Sequence, residues 1–205
     1  MSYQSYTNLA GLPGYLADQV SFSEAVNLTS LNQFIPLDET SKKLYVKIKN
    51  LDKNANQLSD AQKYSLSSFI QFGSPTTKRL GSGERAGVVN SYLTAFGALP
   101  RTVYDWQDVI KIASGRWPAK KSQSAEETAV KNFKRIYRRA PDLKNAYDSN
   151  AIKIAAYGLA PVRRVMNNET KALNNTFKPV FGHTPSSAAE WNILRMISYS
   201  GSKMK

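Results

Sequence analysis

Three pairs of adjacent cations recur at one phase of the chain: Lys78-Arg79, Lys120-Lys121 and Arg163-Arg164. Each pair follows a glycine, Gly73, Gly115 or Gly158, by five and six residues. Cations repeated along one edge suit a polymer with regularly spaced negative charge, either a nucleic acid or an anionic cell-wall polymer. Solvated loops also collect Lys and Arg for solubility, so the set points to binding more strongly than any single pair does. A second cluster comprises Lys131, Lys134, Arg135, Arg138 and Arg139, with no acid anywhere in residues 128–141. On a helix, Lys131, Arg135 and Arg138 would share a face opposite Phe133 and Tyr137, and such a face can meet phosphates or anionic lipid. The three pairs and this trio form the candidate polyanion-binding set.

Other chemistries find little to work with. The chain has no cysteine and a single histidine. Disulfides, thiolate metal sites and cysteine nucleophiles are therefore excluded, and most imidazole acid–base schemes with them. His183 follows Gly182 in a turn between helices and reads as a surface residue. Asp52, Asn54, Asn56 and Asp60 echo the alternating oxygens of a calcium loop, but Gln57 and Lys63 stand where that loop needs Gly and Glu. That stretch reads as a polar turn. Glu84, Glu126 and Glu169 occur once per repeat near helix starts, which fits capping and dipole pairing better than a two-carboxylate active site. Trp117 lies between Arg116 and Pro118 in a loop, where an aromatic ring can stack on a ligand. The expectation is a protein without catalytic residues, metal ligands or cofactors.

The elements that must carry the cations follow from a repeat. Gly73, Gly115, Gly158 and Gly201 are spaced by 42, 43 and 43 residues, each after an apolar stretch. Pro75, Pro118 and Pro161 follow the first three. Aromatic pairs at i,i+4 recur in step, as Tyr92/Phe96, Phe133/Tyr137 and Phe177/Phe181, each followed by a proline. Each unit reads as a helical hairpin. Val88, Tyr92 and Phe96, then Ala129, Phe133 and Tyr137, then Leu173, Phe177 and Phe181 line the first helices. Trp106, Val109, Ile110 and Ala113, then Ala151, Ile152 and Ala155, then Trp191, Leu194 and Ile197 line the second. The recurring glycine falls where a left-handed helix cap is needed.

The fold class that follows is all-α, with tandem helical hairpins forming a short solenoid or compact bundle behind a less regular N-terminal segment. That segment covers residues 1–40, with one or two short helices around Leu16 and Val26. The repeat domain covers 41–205, in units of about 41–73, 74–115, 116–158 and 159–201. Residues 41–51 alternate Leu44, Val46 and Ile48, which also suits an edge strand, and the repeat favours helix. Charge is uneven along this plan. Of the net +13, residues 1–60 contribute five Lys against six acids, and residues 61–205 contribute 23 Lys and Arg against nine acids. An anionic partner should therefore meet the later part of the chain.

The strings FGSPTTKRLGSGERAGVVNSYLTAFGALP, DWQDVIKIASGRWP, AYGLAPVRR and EWNILRMISYSG resemble an uncharacterised repeat module of predicted surface proteins from candidate-phyla (ultrasmall) bacteria. The resemblance covers roughly residues 41–205 and brings no activity, cofactor or site residue with it. It implies export and attachment at the cell surface. The N-terminal residues lack the basic and apolar regions of a signal peptide, so the expected location is extracellular, or cytoplasmic if Met1 is the true start. The expected function is a non-catalytic structural or binding module of a bacterial cell-surface or surface-layer protein, capable of self-assembly. The alternative is a nucleic-acid-binding or nucleoprotein-coat protein.

Overall fold

The computed structural model describes residues 14–159 and 165–204, and every regular element among them is helical. Two compact units are present. One comprises Met1–Leu93 with Gly97–Lys120, the other Thr94–Phe96 with Lys121–Lys205.

In the first unit, α1 (Gly14–Thr29) is one continuous helix rather than two short ones. It buries Ala17, Ser21, Glu24, Ala25 and Leu28, at helical spacing, and packs on α3 (Asp60–Phe72) and α5 (Val103–Ala113). The stretch open to strand or helix is helix α2 (Glu39–Leu51), started by the Asp38 carboxylate accepting from the Ser41 N–H at 2.7 Å. Its burial has the helical period: Ile48 is buried whereas Val46 is exposed. Between α2 and α3 the calcium-like stretch is a polar turn. There Asp52 accepts from the Asn54 N–H at 2.9 Å and the Leu99 N–H at 3.1 Å.

Helix pairs follow the sequence repeat. After α2–α3 come α4 (Ser82–Phe96) with α5, then α6 (Gln123–Tyr137) with α7 (Ala146–Tyr157). The last pair is α8 (Met166–Ala172), a π turn (Leu173–Phe177) and α9 (Lys178–Phe181), with α10 (Ala188–Tyr199). The four register glycines all have positive φ, at 70°, 80°, 66° and 79°. A side chain at those positions would be strained, which explains their spacing in the sequence. The first helices end the same way at Gly97 and Gly182, but α6 ends on Arg138 at φ 56°, the one non-glycine residue at positive φ among the described residues.

In the second unit, α7 packs between α6 and α10, and α10 also packs on α8 and the π turn. The wide turn ends just before Pro179, with the Lys178 N–H donating back to the Leu173 carbonyl. Proline has no N–H, and in a regular helix its ring collides with the carbonyl four residues earlier. Phe177 is fully buried there and stacks on Phe181 at 4.6 Å. One expected core residue is misplaced: Trp191 is 43% exposed. It matches Trp106 in type but sits one position earlier relative to the repeat glycine. The position aligned with Trp106 is Asn192, which is buried beside Ile193 and Leu194.

Candidate functional site

Loops after the repeat glycines are held rigidly by buried acids. Glu24, reaching from α1, accepts from the Ser74 hydroxyl at 2.6 Å, the Thr76 N–H at 2.9 Å and the Thr76 hydroxyl at 2.7 Å. The loop closes on itself through Thr77 N–H to Ser74 carbonyl and Leu80 N–H to Thr77 carbonyl. Lys78 and Arg79 stand exposed on this anchored loop and enter no ion pair with any described residue. Asp108 of α5 does the same for the next loop, accepting from Ala119 N–H at 2.7 Å and Lys120 N–H at 3.0 Å. The Lys120 ammonium lies 3.9 Å from Asp105. Trp117 is half-buried in this loop.

The second unit brings Lys121 and Lys131 together. Both line an open groove of about 700 Å³ along α6 and α7, and Lys134 and Lys153 join them. Its apolar lining is aliphatic, from Val130, Leu143 and Ile152, with no aromatic ring and no arginine. Glu126 and Glu127 lie on the same wall, and both already accept hydrogen bonds, from Tyr157 and Gln123. Lys121, Lys131 and Lys134 make no ion pair with any described residue.

Arg135 and Arg138 are not among the residues that line this groove. Arg135 turns onto the Phe181 ring, 4.3 Å from its centroid, and donates to the Val180 carbonyl at 2.9 Å. Arg138 is the left-handed cap that ends α6. Arg139 grips Asp148 with two nitrogens, at 2.5 and 2.8 Å, and donates to the Lys203 carbonyl. With the Asp142 N–H and the Ser202 hydroxyl also donating, the Asp148 carboxyl is held down at about 2, chiefly by Arg139. Arg163 and Arg164 lie outside the described residues.

The repeated glutamates do more than sit at helix starts. The Tyr157 hydroxyl accepts from the Ser122 N–H at 3.0 Å and donates to Glu126 at 2.6 Å. Tyr199 repeats this, accepting from the Val165 N–H at 3.2 Å and donating to Glu169 at 2.8 Å. Ser122 and Val165 are the N-caps of α6 and α8, so each tyrosine latches the end of one helix to the start of its partner. Relative to the N-cap, the α4 counterpart of these glutamates is Arg85, not Glu84. Arg85 is buried and donates to the Ile70, Gln71 and Leu80 carbonyls, while Glu84 reaches back to accept from the Gly81 N–H at the start of α4.

Reading the sequence missed the latches and Lys153. The signal for Lys153 is visible in hindsight, since it is the only charged residue in the apolar run Ala151–Tyr157. The latch partners lie 30 and 31 residues apart, beyond any local pattern. No protein-family model, no curated protein and no solved structure matches the chain. No helix among the described residues is long and apolar enough to cross a membrane.

Proposed function

We propose that the chain is a non-catalytic structural or binding module of a bacterial cell-surface or surface-layer protein, meeting anionic polymers through its exposed cations. One observation carries the reading. Glu126 and Glu169, which repeat in register, are held in tyrosine latches, whereas Lys78, Arg79, Lys121, Lys131 and Lys134 make no ion pair with any described residue. Repeated acids spent on holding hairpins suit a scaffold, and unneutralised cations on anchored backbone suit electrostatic capture. The resemblance of the repeat strings to surface-protein modules supports the location.

The test is a binding panel of purified anionic wall polymer, duplex DNA and single-stranded RNA across a salt series. The wild type should bind the wall polymer, with affinity falling as salt rises. Replacing Lys78, Arg79, Lys120 and Lys121 by Gln should weaken binding and flatten the salt dependence. The melting temperature should stay nearly unchanged, because exposed charges contribute little to stability. Nucleic acid bound more tightly than wall polymer at every salt concentration would replace this reading with the nucleoprotein one.

A further inference from the structure

The α6–α7 groove combines two features that a bare polyanion uses poorly together: an aliphatic floor and cations spread along both banks. Val130 and Ile152 supply the floor, and Ile152 is buried there. Lys121 precedes the start of α6, Lys131 and Lys134 lie toward its end, and Lys153 stands on α7. From Lys121 to Lys134 the charges extend for roughly 20 Å at the helical rise. A lipid headgroup would draw its cations to one end of a pocket, and a base or sugar would use an aromatic platform, which this groove lacks. A concavity between two antiparallel helices is the shape that a third helix completes.

We propose that this groove docks an acidic amphipathic helix of a partner protein. The partner's apolar stripe lies on Val130 and Ile152, and its carboxylates face Lys131, Lys134 and Lys153. Glu126 and Glu127 fix its direction, because they repel acids at the Lys121 end. The partner therefore carries its acids toward the end that meets Lys131 and Lys134.

The experiment uses the full chain and labelled synthetic helical peptides of about five turns with Leu at i, i+3, i+4 and i+7. One carries Glu on its flanks, one carries Lys there, and one has the Glu version's composition scrambled. The acidic amphipathic peptide should bind with Kd of ~1–100 μM, and the other two at least tenfold more weakly. Lys131→Glu with Lys134→Glu should lower that affinity tenfold or more. Leu143→Ser, at a 63% exposed wall residue, should lower it about threefold without altering the melting temperature. Amide shifts on binding should map to α6 and α7. Equal binding of the scrambled peptide would overturn the proposal in favour of diffuse charge attraction, as would absence of binding at 1 mM peptide. Vesicles of anionic phospholipid that bind wild type but not the lysine variant, with the peptide unaffected by it, would assign the groove to lipid instead. Binding of wall polymer is read separately through Lys78→Gln with Arg79→Gln, which lie outside the groove, so either conclusion can fail alone.

Discussion

The Tyr157 hydroxyl stands between the Ser122 N–H and the Glu126 carboxylate, at 3.0 and 2.6 Å, and ties the last residue of α7 to the first turn of α6. A phenol suits this place because it accepts and donates at once. Removing the oxygen strands a helix-start N–H and a carboxylate together. Tyr157→Phe should cost about 1–3 kcal/mol by chemical denaturation. Tyr199→Phe should cost less, because that ring is only partly buried. A neutral Tyr157→Phe would mean that water replaces the hydroxyl without loss.

Arg138 occupies the left-handed position that Gly97 and Gly182 fill in the other hairpins. Its Cβ crowds the following carbonyl in that conformation. Arg138→Gly should therefore stabilise the chain by about 0.5–1 kcal/mol. Gly201→Ala should do the reverse, since φ is 79° and the new methyl would sit 2.7 Å from the Tyr147 ring. Paired melting curves check both signs.

Phe133 and Phe177 are each fully buried, the first against Tyr137 at 4.5 Å and the second against Phe181 at 4.6 Å. Truncation to Ala should cost about 3–5 kcal/mol in each case. Near-neutral effects would show that the core refills around the missing ring.

Asp148 gives the fold an acid-sensitive element. Its folded carboxyl lies at about 2 against an ordinary 3.8, so the unfolded chain takes up its proton first on acidification. Its contribution to stability is fully present above the ordinary value and is lost as pH falls toward 2. Asp148→Asn should lower the melting temperature at pH 7 and flatten its dependence on pH between about 4 and 2. An unchanged acid transition would assign that transition to other carboxylates, such as Asp18 or Asp105.

Much of the plan could be read before the fold was known because backbone necessity leaves a mark on residue type. A positive φ calls for glycine, and four of them kept step with the hairpins. Helix starts were legible through Glu84, Glu126 and Glu169, each of which stands in the first turn of its helix. Side-chain destinations were not. Trp191 shares its type with Trp106 but not its register, and only the glycine spacing distinguishes them. Helix α1 packs through Ala17, Ser21 and Ala25, small residues with little hydrophobic signal, so its full length went unseen. Arg135 looked like an open cation on the α6 face because the Phe181 ring that receives it lies 46 residues ahead.

Arg85 makes two successive hairpins depend on each other. Its guanidinium is bonded to carbonyls at the end of α3, so α4 completes the preceding hairpin as well as starting its own. A gene duplication with its boundary near residue 74 would part that buried cation from two of its three acceptors and leave it only the Leu80 carbonyl. A boundary near residue 121 or 159 severs neither tyrosine latch, because each latch begins and ends within one hairpin. A boundary near residue 159 would nevertheless part Arg135 from the Phe181 ring, and Arg139 and Asp148 from Lys203 and Ser202, so the last two hairpins are also inherited together.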